Sequence, residues 1–197
     1  MKGRKPTPCT MPVMRSLRRA VMVALGVAVY HTSAPAPIAA IVQRPTAPMP
    51  IFDYRFTVDA PLEAVRDFHR DTSALKKLTP PPTFVQLHEI EPMAEGSVSR
   101  FTLWLGPLPI PWKAVHRDVT DRGFTDIQAE GPAARWEHTH TFTPLAADRT
   151  EIDEHIEFAH RPGWRGLLTR LLFSRPNLLV MFGYRRWVTR RSLSQPR

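Results

Sequence analysis

Between residues 83 and 159 the chain falls into six short segments that alternate apolar and polar side chains and end at turn signals. They are 83–92 (TFVQLHEIEP), 96–105 (GSVSRFTLWL), 110–120 (IPWKAVHRDVT), 124–130 (FTDIQAE), 134–143 (ARWEHTHTFT) and 149–159 (RTEIDEHIEFA). Gly96, the GPLP at 106–109, Gly123, Gly131-Pro132 and the stretch 146–148 separate them. Period-two alternation marks a half-buried strand, and such short turns permit only hairpin connections, because a parallel crossover needs a dozen or more residues. The stretch predicts an antiparallel meander.

The flanking segments complete the plan. Residues 51–60 (IFDYRFTVDA) read as one more strand. APLEAVRDFHRD then reads as a helix, with Pro61 suited to its first turn and Leu62, Val65 and Phe68 at helical spacing. Residues 72–79 (TSALKKLT) read as a second short helix, N-capped by Thr72 or Ser73 and stopped by Pro80, Pro81 and Pro82. From about 163 to 193 a long helical stretch carries Trp164, Leu167, Leu168, Leu171 and Leu172 on one face, then Leu178, Leu179, Phe182 and Val188. Pro176 is expected to kink or restart it, and the arginines lie mostly off the stripe. The fold class is therefore α+β: a seven-stranded curved antiparallel sheet around a long C-terminal helix, with two short helices after the first strand. A single helix does not fill so wide a sheet, which predicts a cavity between them.

A chain of 197 residues, 43% of them hydrophobic, supports one domain, placed at 51–193 with a tail at 194–197. Residues 1–50 read as a leader and Pro-rich linker, expected to be disordered. Arg15, Arg18 and Arg19 precede an apolar run at 20–30, which suits a signal peptide and is too short to span a bilayer. That pattern suggests export, or a cytoplasmic location if the leader is not a working signal. The net charge of +9 comes from the two ends: residues 160–197 contain nine arginines and no acid, while the middle is net acidic. An acidic middle argues against a nucleic-acid module. The one cysteine, Cys9, lies before the domain, so a disulfide framework, a cysteine zinc site and a cysteine nucleophile in the fold are excluded. There is no Gly-rich phosphate loop and no serine nucleophile elbow.

The stretch ARWEHTHTF carries the most suggestive chemistry. In a strand, Trp136, His138, His140 and Phe142 share one face, and Arg135, Glu137, Thr139 and Thr141 the other. The apolar face is expected to line the interior, where buried imidazoles need hydrogen-bond partners or a ligand's polar group. The leading reading is a wall that orients a ligand; His138 or His140 as a general acid or base is the alternative. A metal would need further ligands such as His116, Asp126 or Glu154, which no spacing demands, so neither metal nor cofactor is expected. Trp104 and Trp112 flank the GPLPIP turn as candidate aromatics at a cavity mouth, and Phe182 joins the ligand-binding set from the last helix. Asp153, His155 and Glu157 read as a solvated face. Arg185, Arg186, Arg190 and Arg191 are the candidate contact for anionic lipid at a membrane periphery, or simply a solvated helix end. Nothing in the sequence specifies an oligomer.

VDAPLEAVRDFHRDTSALKKLTPPP resembles the opening of the SRPBCC superfamily, also called START-like or helix-grip. FTLWLGPLPIPWKAVHRDVTDRGFTDIQAEGPAARWEHTHTF resembles a bacterial ligand-binding subgroup related to polyketide cyclase/dehydrase-like proteins, with Ala133 where that subgroup often has an aromatic. That exchange is expected to widen the pocket. The resemblance spans 51 to about 193 and implies a helix-grip fold holding a small hydrophobic molecule: a lipid, an isoprenoid quinone or a polyketide-like compound. It implies as alternatives a cyclase/dehydrase-type enzyme on a similar compound, or a protein-interaction module.

Overall fold

The structure, a computed structural model, describes residues 49–194. The leader and nearly all of the linker, on which the expectations of export and disorder rest, lie outside the described residues, as does the end of the tail. The elements are β1 (Ile51–Val58), α1 (Leu62–Arg70), a 3-10 turn (Thr72–Ala74) running into α2 (Leu75–Leu78), β2 (Thr83–Ile90), β3 (Val98–Leu105), β4 (Leu108–Thr120), β5 (Gly123–Glu130), β6 (Arg135–Ala146) and β7 (Arg149–Ala159). A second 3-10 turn (Gly163–Gly166) leads into α3 (Leu167–Leu172), followed by α4 (Arg175–Leu193). No helix among the described residues is long and apolar enough to cross a membrane.

The seven strands form one antiparallel sheet in the order β1-β7-β6-β5-β4-β3-β2. The predicted meander runs from β2 to β7, and β1 adds beside the last strand, Ile51 opposite Glu157. β1 and β2 thus occupy opposite edges, and α1 and α2 carry the chain between them. Register shifts between Leu87 and Glu89, Arg117 and Thr120, and Pro144 and Ala146 bend the ladder, as extra residues in a strand do. At the head of β5, Gly123 has a φ of +148, and a Cβ there would land on the His140 carbonyl oxygen. Only glycine lets β5 approach β6 this closely at the point where His140 is held.

The short-helix region is capped by Asp71, whose carboxylate accepts from the Ser73 amide at 2.9 Å, one residue before the predicted Thr72 or Ser73. Thr79 ends α2 by donating its hydroxyl to the Leu75 carbonyl at 2.8 Å. The long C-terminal stretch breaks at Phe173 and Ser174 and restarts with Pro176 in the first turn of α4, where a missing N–H costs nothing.

The two halves of its apolar stripe have different fates. Leu178, Phe182 and Val188 are buried, as a core stripe should be, while Leu179, also expected on the stripe, faces solvent because it lies about 100° around the helix from Leu178. Trp164, Leu167 and Leu171 point to solvent, at 82%, 68% and 63% exposure. The buried side of that turn is made by small residues instead. Gly166 packs against the Arg161 carbonyl with no room for a Cβ, and the buried Thr169 hydroxyl donates to the Gly166 carbonyl at 3.0 Å. Close backbone approach at Gly166 fixes which face turns inward, and the leucines take the other.

The core divides along the sheet. One cluster joins Phe52, Trp136, Ile156, Phe158, Leu178 and Phe182; another joins Phe56, Val58, Val65, Phe124, Phe142 and Ile152. Ala133 belongs to the first cluster and is not on the cavity wall, so the expected widening of the pocket at that position is not found.

Candidate functional site

A cavity of about 450 Å³ lies between the curved sheet and the helices. Its walls are apolar side chains from β3, β4 and β5: Phe101, Leu103, Ile110, Trp112, Ala114 and Phe124. The inward parity of each strand supplies them. The lining residues that are also exposed (Asp71, Pro81, Pro82, Asn177 and Val180) mark the rim.

One end of this apolar chamber is polar, and strand register builds it. His138 and His140 face inward from β6. Across the ladder, Asp126 of β5 stands opposite His138, and His116 of β4 stands opposite Asp126. On the other side, Glu154 of β7 stands opposite His140. Glu154 shares the parity of Ile152 and Ile156, so it too points inward and is 3% exposed.

The groups meet at hydrogen-bond distances. His138 Nε2 and Glu154 Oε2 are 2.7 Å apart. His140 Nδ1 is also 2.7 Å from that oxygen, but out of line for a hydrogen bond, so among the described residues it has no hydrogen-bond partner. His140 Nε2 lies 3.4 Å from Asp126 Oδ2, and His116 Nε2 lies 3.3 Å from Asp126 Oδ1. Phe124 stacks on His140 with ring centroids 4.5 Å apart, and the edge of Phe182 meets His138 at 5.5 Å. From α1, His69 donates Nδ1–H to the Val65 carbonyl at 2.8 Å and leaves its other edge toward His140.

Burial and charge drive the histidines apart. Burial pushes His138 down to about 4, helped by the positive charge of His140 and opposed by the hydrogen bond to Glu154. Burial likewise takes His69 down to about 4. Burial works against His140 as well, but the Glu154 charge and the hydrogen bond to Asp126 outweigh it and lift the group to about 9. Glu154 is held well below the usual carboxylate range: its desolvation is overcome by the charge of His140 and by the hydrogen bond from His138. Near neutrality the cluster therefore has a charged His140 between two carboxylates, beside a neutral His138.

The pH dependence of stability follows. His69 and His138, depressed in the fold, contribute stability that is full above about pH 6.5 and is lost as pH falls toward about 4. His140, raised in the fold, contributes stability that is full below about pH 6.5 and is lost as pH rises through about 9. The melting temperature is expected to peak near pH 6.5 and to fall more steeply on the acid side. Calorimetric melts across that range would refute the assignment if they showed a plateau from about pH 5 to about pH 8.

One ligand atom each from Asp126, His138 and His140 lies within 4.8 Å of the others, and imidazole with carboxylate is a donor set for a divalent transition ion. In the structure those atoms are engaged with one another and with Glu154.

Of the residues the sequence singled out, Trp112, Trp136, His138 and His140 line the cavity. Phe142 and Phe182 lie in the core beneath it. Trp104 is not at the site: it stacks on Phe84 and donates its indole N–H to Gln86 at 2.9 Å. Phe101, Leu103 and Leu105 take the inward parity of β3, which sends Trp104 outward. Arg185 lines the cavity instead of forming a solvated helix end, and Arg190 donates to the Thr57 carbonyl at 2.9 Å. His69 and the pairing role of Glu154 were missed. An acid on the apolar parity of β7 was the available signal for Glu154.

A curved sheet gripping a C-terminal helix around a chamber with one polar end defines a helix-grip domain, the fold shared by START-like, SRPBCC proteins. Norcoclaurine synthase from Thalictrum flavum, solved with dopamine and hydroxybenzaldehyde, is 17% identical over 83% of this chain and 96% of its own, with a TM-score of 0.58. An aromatase/cyclase from Streptomyces sp. R1128 is 18% identical over 75% of this chain and 98% of its own, with a TM-score of 0.57. A START superfamily protein from Mycobacterium smegmatis is 12% identical over 74% of this chain and 97% of its own, with a TM-score of 0.55. Neither a protein-family model nor a curated protein matches the chain.

Proposed function

We propose that this domain binds a small amphipathic molecule, a lipid, isoprenoid quinone or polyketide-like compound, with its apolar body against Leu103, Ile110 and Trp112 and its polar end against the histidines. The observation that carries this reading is the cavity of about 450 Å³, apolar along its length and polar at one end. A volume in the range of ligand sites, bounded by aromatic and aliphatic side chains with a few convergent polar groups, is the ordinary form of a small-molecule pocket. Norcoclaurine synthase, with two small aromatic molecules, and the aromatase/cyclase are consistent with it as holders of the same fold.

Titration with dodecanol, read by the fluorescence of Trp112 and Trp136, is expected to show saturable binding. Ala114→Phe, which fills the chamber from β4, is expected to weaken it on the order of tenfold. The reading is wrong if the wild-type protein shows no saturable response to aliphatic or aromatic lipophiles and organic extraction of the purified protein releases none.

A second reading, an acid–base enzyme of cyclase/dehydrase type on a similar compound, is favoured by the opposite tuning of His138 and His140. One neutral and one charged imidazole side by side supply a base and an acid at the same pH. In that case His138→Ala and His140→Ala would abolish turnover while leaving ligand affinity largely intact.

A further inference from the structure

α4 presents Leu178, Phe182, Arg185 and Thr189 at the i, i+4, i+7, i+11 spacing of one face. Leu178, Phe182 and Thr189 are buried. A guanidinium occupies the third place on this inward stripe, where an apolar residue would cost nothing. The side chain lines the cavity, and its Cζ lies 5.0 Å from the centroid of the buried Phe182 ring.

Among the described residues, no side chain or carbonyl accepts a hydrogen bond from the buried Arg185 Nε, and no carboxylate pairs with the guanidinium directly. The two carboxylates whose charge reaches it face imidazoles instead: Glu154 sits against His138 and His140, and Asp126 sits between His140 and His116. The side chain is half-buried, and a buried N–H donor left without a partner costs its desolvation free energy. A planar fork of N–H donors in an apolar chamber matches a carboxylate or a similar oxyanion held by two hydrogen bonds.

We infer that Arg185 is the anion-binding group of the cavity and that the ligand is an amphipathic organic acid, its acidic oxygens on Arg185 and its apolar body along β3 and β4. This rests on the binding reading above and narrows it from any amphipathic molecule to an acid. The Phe182 ring lies under the guanidinium carbon, and the N–H donors around its edge remain able to donate to an oxyanion.

The test compares acids with neutral alcohols of the same shape: dodecanoate with dodecanol, and naphthoate with naphthalenemethanol, by calorimetry on the full chain. For at least one pair the acid is expected to bind on the order of 10- to 100-fold more tightly, the range for a charge-assisted hydrogen-bonded pair. Arg185→Gln is expected to remove that preference, and Arg185→Lys is expected to keep part of it. Acid and alcohol binding equally to the wild type, or an acid preference that survives in Arg185→Gln, would overturn the inference and leave the binding reading standing. No binding by any of the four compounds would overturn both. Should Arg185→Gln fail to fold, the wild-type comparison and Arg185→Lys decide the question alone.

Discussion

Glu154→Ala is expected to destabilise the domain by about 3–5 kcal/mol, the cost of removing one partner from a buried ion pair. The residue is 3% exposed and its Oε2 lies 2.7 Å from a nitrogen on each of two histidines. Without it, His140 keeps only Asp126 against the full cost of its burial, and its elevation to about 9 cannot persist. Glu154→Gln separates charge from volume, because the amide fills the same space. It is expected to lose a large part of the same stability and to remove the alkaline limb of the pH profile, since that limb comes from His140. Urea unfolding at pH 6.5 and at pH 9 checks both points. A Glu154→Gln protein as stable as the wild type at the lower pH would show that the carboxylate charge does not hold the site together.

Phe182→Ala is expected to cost about 3–5 kcal/mol, the range for emptying a buried aromatic position. Its ring is fully buried and packs on Phe52 at 5.4 Å and Tyr54 at 5.8 Å, which ties α4 to β1. The same ring meets His138 at 5.5 Å and lies beneath Arg185 at 5.0 Å. Phe182→Leu restores most of the volume and is expected to recover more than half of the stability. It cannot restore the stacking surface for the guanidinium, so acid binding is expected to stay weakened in a stably folded protein. Equal recovery of stability and acid affinity in Phe182→Leu would count against the stacking role.

The architecture was legible because strands and turns are encoded locally. Alternation located β2 to β7, and the triple proline located the end of α2. Alternation also placed Trp136, His138 and His140 inside. The errors share a cause, which is that a side chain's parity depends on its whole strand. Trp104 looked like a pocket aromatic beside the GPLPIP turn, but Phe101, Leu103 and Leu105 had already claimed the inward side of β3. Glu154 sits among Ile152 and Ile156, and Arg185 sits one turn from Phe182. In both, a charge stands where the period demands an apolar residue. Such a departure costs free energy in the fold and is expected where a site is built. Trp164, Leu167 and Leu171 share one face by helical period, and the small residues Gly166 and Thr169 turn that face outward through backbone packing that no hydropathy pattern records.

The pairing of β1 with β7 has a kinetic consequence. Ile51 finds its partner at Glu157, and Thr57 meets Arg190 only after α4 is made. The hairpins that carry Asp126, His138, His140 and Glu154 close over short loops. The sheet edge and the helix that complete the chamber close over nearly the whole domain. High sequence separation between contacts slows folding into the millisecond-to-second range. A ribosome-bound chain would thus assemble its charged cluster early and seal the chamber over it last, when α4 emerges.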